Sequence, residues 1–216
     1  MNGEAVRVYD IEFVTIDRGF SASRLTSMLE SANELGAQRL SVCGEDPDRS
    51  RFVSTLAELC DLAATFGIGV DLECMAWRQV SSFPEAVPLV KEVGRPNCGA
   101  LVDALHLSRT GGSPADIRAV PSNLIGSAQL CDAPAEHPES QDAIIQEARS
   151  GRLPPGCGQQ PLRELLAALP AHTAISVEVP MQGAAPPALR AQQIYAATKR
   201  LFESCHEIES KLPADR

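Results

Sequence analysis

The chain has 216 residues, 44% of them hydrophobic and 22% charged, a balance typical of a soluble globular protein and too apolar for disorder. Twenty-eight acidic residues against 19 basic ones leave a net charge of −9, without the electrostatic footprint that nucleic-acid binding usually leaves. No apolar run approaches the ~20 residues of a membrane span, and no basic, apolar leader opens the chain.

Strand-like and helix-like segments take turns along the chain. Val6 to Ile16 is rich in β-branched residues and predicts a first strand, and Ser21 to Leu35 carries apolar residues at helical spacing up to a stop at Gly36. Arg39 to Cys43 reads as a short buried strand, Asp48 to Phe66 as an amphipathic helix, and Ile68 to Met75 as a third strand. Phe83 to Val93 is a helix closed by Gly94, Gly99 to Leu107 a fourth strand, and Pro114 to Ala119 a helical turn. Leu124 to Leu130 is a fifth strand, with helices at Gln141 to Arg149 and Pro161 to Leu169. Thr173 to Val179 is a sixth strand and Pro187 to Glu209 a closing helix.

Six β-then-α units in series imply parallel strands covered by helices. The turn after the first strand, Asp17-Arg18-Gly19-Phe20, lacks the dinucleotide-binding G-x-G-x-x-G, and no G-x-x-x-x-G-K-[ST] phosphate loop is present. No Pro/Ser linker divides the chain, and residues 1–216 read as a single domain. The seven cysteines form no C-x-x-C pair, which excludes a disulfide framework or zinc knuckle and suits a reducing, cytoplasmic setting.

The informative residues end the strands. Glu73 closes Val70-Asp71-Leu72-Glu73, Asp103 closes Ala100-Leu101-Val102-Asp103, Gln129 and then Asp132 follow Ser127-Ala128, and Glu178 ends Ile175-Ser176-Val177. In a parallel barrel such ends share the face that carries the active site. Three carboxylates converging there repel one another unless a cation neutralises them. With the amide oxygen of Gln129, Glu73, Asp103 and Glu178 make an all-oxygen set suited to Mg²⁺ or Mn²⁺ ahead of Co²⁺ or Zn²⁺.

Glu73-Cys-Met-Ala-Trp77, Pro96-Asn97-Cys-Gly99 leading into Asp103-Ala-Leu-His106, Gln129-Leu-Cys-Asp132, Arg152-Leu-Pro-Pro155-Gly156-Cys157-Gly158 and Ser176-Val-Glu178 occur in that order. Together they resemble the xylose isomerase-like superfamily of sugar phosphate isomerases and epimerases, near its hydroxypyruvate isomerase and dehydroshikimate dehydratase members. The resemblance implies a TIM-type (β/α) barrel, here N-terminally short with six βα units, a partial or open barrel. It implies Glu73, Asp103, Gln129 and Glu178 as metal ligands, Glu73 and Glu178 also as acid/base residues, and His106 and Arg152 as substrate contacts. Trp77 and Asp132 are further candidates for substrate binding. The turn departs from the common Pro-Gly-Glu-Gly in having Cys157.

The expected chemistry is isomerisation or epimerisation of a small sugar, sugar phosphate or hydroxy-keto acid. A carboxylate removes a proton from carbon, a metal stabilises the enediolate, and the proton returns to another carbon or face. A dehydratase is the alternative, since the same site expels a β-hydroxyl as water, and a catalytically inactive barrel-fold binding protein is the third reading. Glu12, in the first strand, could also face the cavity, but a salt-bridged or solvated position is the preferred reading, and His137, His172 and His206 read as surface residues. Open sheet edges are a liability, so a homo-oligomer, a dimer, is expected to cover them unless the barrel stays open.

Overall fold

The computed structural model describes residues 6–183 and 185–209. Its strands are β1 (Asp10–Ile16), β2 (Arg39–Gly44), β3 (Gly69–Glu73), β4 (Cys98–Asp103), β5 (Ile125–Leu130) and β6 (Ala174–Val177). The helices are α1 (Thr26–Leu35), α2 (Arg49–Ala64), α3 (Phe83–Val93), α4 (Ala104–Arg109), α5 (Pro114–Arg118), α6 (Gln141–Ser150), α7 (Leu162–Ala168) and α8 (Pro187–Glu209). All strands run parallel in one sheet, ordered β1-β2-β3-β4-β5-β6, which is a half-barrel. Among the described residues, the outer edges of β1 and β6 pair with no strand.

Period-two alternation divides each strand between two faces. Leu40, Val42, Val70, Leu72, Ala100, Val102, Ala128 and Leu130 are buried in the main core with Phe52, Leu56 and Leu59 of α2 and Phe83 and Val90 of α3. Each such side chain contributes roughly 1.5–3 kcal/mol by leaving water. Helix stops follow the sequence signals: Gly36 and Gly94 sit at φ 81° and 63°, the left-handed conformation that ends α1 and α3.

The other face is polar. Arg39 Nε donates to Asp71 Oδ2 at 2.9 Å, and Ser127 Oγ donates to the same oxygen at 2.7 Å. Glycine makes the room for this layer, because a Cβ on Gly126 would collide with the Asp71 carboxylate and the Arg39 guanidinium. One layer further along the strands, Glu73 and Gln129 follow Asp71 and Ser127 by two residues and so point the same way. The sheet curls enough for Glu12 of β1 to reach Gln129 of β5 across the interior.

Several expected boundaries shift, and two of the shifts bear on the site. The fourth strand stops at Asp103 instead of Leu107, because the Asp103 carboxylate accepts from the His106 backbone N–H at 2.9 Å and caps α4. The sixth strand ends at Val177, although the Glu178 N–H still bonds the Leu130 carbonyl at 3.0 Å.

Candidate active site

The C-terminal ends of the strands surround a cavity of about 350 Å³, whose wall includes Glu12, Glu73, Trp77, His106, Arg152 and Glu178. Asp103 and Gln129 lie behind that wall, each 2% exposed. Capping by Asp103 sets His106 on the first turn of α4, where its ring meets Trp77 edge-on at 5.2 Å between centroids. Arg152 is 3% exposed and not a surface residue. Its Nη1 donates to Asp103 Oδ2 at 2.6 Å and lies 3.2 Å from Glu178 Oε2, while Nε donates to the Ala148 carbonyl at 3.0 Å. His106 Nε2 stands 3.7 Å from Glu73 Oε1.

The charges are poorly balanced. Burial, reinforced by the neighbouring Asp103 and Glu178 carboxylates, holds the Glu73 carboxyl well above the usual range. Burial also pushes Glu178 up to about 7, against the pull of Arg152. At Asp103 burial works against the charge, but Arg152 and then His106 outweigh it and hold the carboxyl below the usual range. Burial lowers the His106 imidazole. Thus one guanidinium satisfies Asp103 and leaves Glu73 and Glu178 reluctant to ionise.

That imbalance is what a bound cation would correct. Glu73, Asp103 and His106 each offer a ligand atom, all within 4.8 Å of one another. Buried Gln129 Oε1 and His106 Nδ1 have no hydrogen-bond partner, and such unpaired buried polar atoms call for explanation. The donor set, mostly carboxylate and amide oxygen, fits a hard divalent ion. His106, expected as a substrate contact, thus stands with Glu73 and Asp103 in a group that could hold an ion, while Arg152 links Asp103 to Glu178.

Asp132 does not line the cavity. Its Oδ1 accepts from the N–H groups of Ala133 and Gln160, both at 2.9 Å, and its Oδ2 accepts from Gly156 N–H at 3.0 Å. The carboxylate thus fastens the Pro-Pro-Gly-Cys-Gly turn, and the expected substrate contact gives way to a structural one. All seven cysteines are free, with Cys157 of this turn exposed. His137 and His172 are exposed, and the side chain of His206 lies outside the described residues. The cavity wall also carries charged residues given no functional role from sequence, Arg78 and Arg149, and Glu12, for which a salt bridge or solvated position is the preferred sequence reading. Arg78 pairs with Glu45 at 2.6 Å and lies over the Phe13 ring; Arg149 is exposed.

Among the described residues no helix is long and apolar enough to cross a membrane. A family model described as xylose isomerase-like TIM barrel matches residues 12–202. The chain is 27% identical over 155 residues to a 3-dehydroshikimate dehydratase of Pseudomonas aeruginosa, covering 69% of this chain and 24% of that protein. It is 34% identical over 67 residues to an inosose isomerase of Halalkalibacterium halodurans, covering 30% of this chain and 24% of that protein. The chain thus spans about a quarter of the length of these relatives. Among solved structures, a xylose isomerase-like TIM barrel/4-hydroxyphenylpyruvate dioxygenase fusion protein superposes with TM-score 0.79 at 23% identity, over 96% of this chain and 36% of that one. The IOLI protein with a binding zinc atom superposes with TM-score 0.73 at 17% identity, over 96% of this chain and 78% of that one.

Proposed function

This chain belongs to the xylose isomerase-like TIM barrel family, and on that premise we propose that it is a divalent-metal-dependent isomerase or epimerase of a small α-hydroxy carbonyl compound, a sugar or a hydroxy-keto acid. The observation that carries the proposal is the pair of under-compensated carboxyls, Glu73 at the end of β3 and Glu178 just after β6, that open on one cavity with the Asp103–Arg152 pair against them. Glu73, Asp103, Gln129 and Glu178, with His106 beside them, would hold the ion. Mn²⁺ or Mg²⁺ suits the oxygen-rich set, and Co²⁺ or Zn²⁺ is the alternative. When bound, the ion supplies Lewis-acid stabilisation of charge developing on the substrate oxygens.

The chain's own groups then do the proton work. A carboxyl that titrates near neutrality, as Glu178 does, is matched to taking a proton from carbon and giving it back. Glu73, whose carboxyl is raised by burial and faces the same cavity, is placed to exchange a proton at the neighbouring carbon or opposite face. The neutral His106 ring can donate to a substrate oxygen, and Trp77 offers an apolar wall. Arg152 is engaged by Asp103 and Glu178, so its part is to hold those carboxylates in place. Arg149, exposed at the cavity wall, is the better candidate to meet a substrate carboxylate or phosphate.

One observation favours a second reading. The match that covers most of this chain among the curated relatives described is to a dehydratase, and loss of a β-hydroxyl as water after the same proton abstraction would make this a lyase. Incubation of the metal-loaded protein with hydroxy-keto acids and sugars, followed by ultraviolet absorbance and chromatography, separates the two. Isomeric products without new absorbance support the isomerase; a product absorbing as an enone or diene supports the lyase and overturns the isomerase.

A further inference from the structure

A glutamine can serve a cation only with its oxygen end. The two ends of the amide have nearly the same shape, so a buried Gln ligand needs something that tells them apart. Gln129 is 2% exposed at the end of β5. Its Nε2 donates to Glu12 Oε1, and its Oε1 is buried without any partner. A carboxylate oxygen accepts and does not donate, so with Glu12 in place the NH₂ group must turn to β1. The oxygen is then turned away from Glu12. The reverse rotamer would set two acceptors against each other and put N–H groups in the buried position that Oε1 now occupies.

We infer that Glu12 is a positioning residue for the metal centre: it fixes the amide of Gln129 so that Oε1 is presented as a ligand. The contact spans 117 residues of sequence and crosses the interior from β1 to β5. The first strand, which contributes no ligand of its own, thus takes part in the site and links its correctness to the curl of the sheet. Partners that orient a ligand commonly change metal affinity by ten- to a hundredfold when removed. The inference rests on the metal reading given above.

Mn²⁺ titrated calorimetrically into the EDTA-stripped full chain tests it, using wild type, Glu12→Ala, Gln129→Glu and the double variant. Because both ends of a carboxylate are oxygen, Gln129→Glu has no need of an orienting partner. Glu12→Ala is expected to weaken Mn²⁺ binding about ten- to a hundredfold beside Gln129, and to leave it unchanged or tighter beside Gln129→Glu. The isosteric Glu12→Gln, whose carbonyl can still accept, guards against a folding failure; it should weaken binding only severalfold, and only beside Gln129. Equal losses in both backgrounds would mean a general structural role and overturn the inference. Mn²⁺ binding indifferent to Glu12 in both backgrounds would also overturn it while sparing the metal reading. Absence of Mn²⁺ binding by the wild type would overturn the two together.

Discussion

Asp103 is asked to do three things at once, and its removal should show them separately. Asp103→Ala deletes the cap of α4, which costs about 1 kcal/mol in typical helices. It also strips Arg152 of its 2.6 Å partner in a position 3% exposed. Breaking a buried ion pair by deleting one member costs about 3–5 kcal/mol, and the lower end applies because Glu178 still lies 3.2 Å from the guanidinium. Together the loss for the metal-free protein should be about 4 kcal/mol. Asp103→Asn can keep only one of the two acceptors: with its oxygen at the capping position it turns its NH₂ toward the Arg152 guanidinium, so it should lose the ion pair but spare the cap, and its loss should be about 1 kcal/mol smaller than that of Asp103→Ala. Urea denaturation in EDTA, with the slope checked against wild type, measures both. Both variants should fail to bind Mn²⁺. An Asp103→Ala protein within 1 kcal/mol of wild type would refute the buried pairing, and equal losses for Ala and Asn would refute the cap.

Other consequences are equally open to measurement. Because burial holds the folded Glu178 carboxyl near 7, above its ordinary carboxylate value, it favours the folded state most at acid pH. That contribution is lost as pH rises through about 7; in EDTA, wild type should therefore lose stability relative to Glu178→Gln over that interval, and parallel pH profiles would contradict it. Gly126→Ala should destabilise by about 3 kcal/mol or more, because the new methyl displaces the Arg39–Asp71 pair in a layer where Asp71 is fully buried; unchanged thermal unfolding would show that the layer yields freely. Arg149→Ala should raise KM for anionic substrates severalfold while leaving KM for neutral sugars alone, and equal effects on both would remove Arg149 from substrate recognition.

How far the sequence reaches depends on how local each signal is. The strand-end carboxylates are legible because an apolar run that stops at an acidic residue is a pattern within six residues, and β3 and β4 both end there, at Glu73 and Asp103. Ala104-Leu105-His106-Leu107 misleads because its apolar character continues the strand. The N-cap rule, applied to Asp103, is the signal that turns this segment into a helix. Asp132 has the same strand-end appearance as Gln129, but its partners are backbone amides at residues 133, 156 and 160, and no spacing announces them. What Arg152 does is not legible until the fold brings Asp103 and Glu178 against it. Glu12 is the extreme case, since its meaning lies in Gln129, on a strand four places away in the sheet.

If the strand-end carboxylates form a cation site, calorimetric titration of Mn²⁺ into the EDTA-stripped chain, alongside Glu73→Gln, will show it. One ion per chain is expected, with binding abolished or severely weakened by the substitution while the apo fold persists. A wild type that takes up no ion, or a Glu73→Gln variant that binds as wild type does, would contradict it.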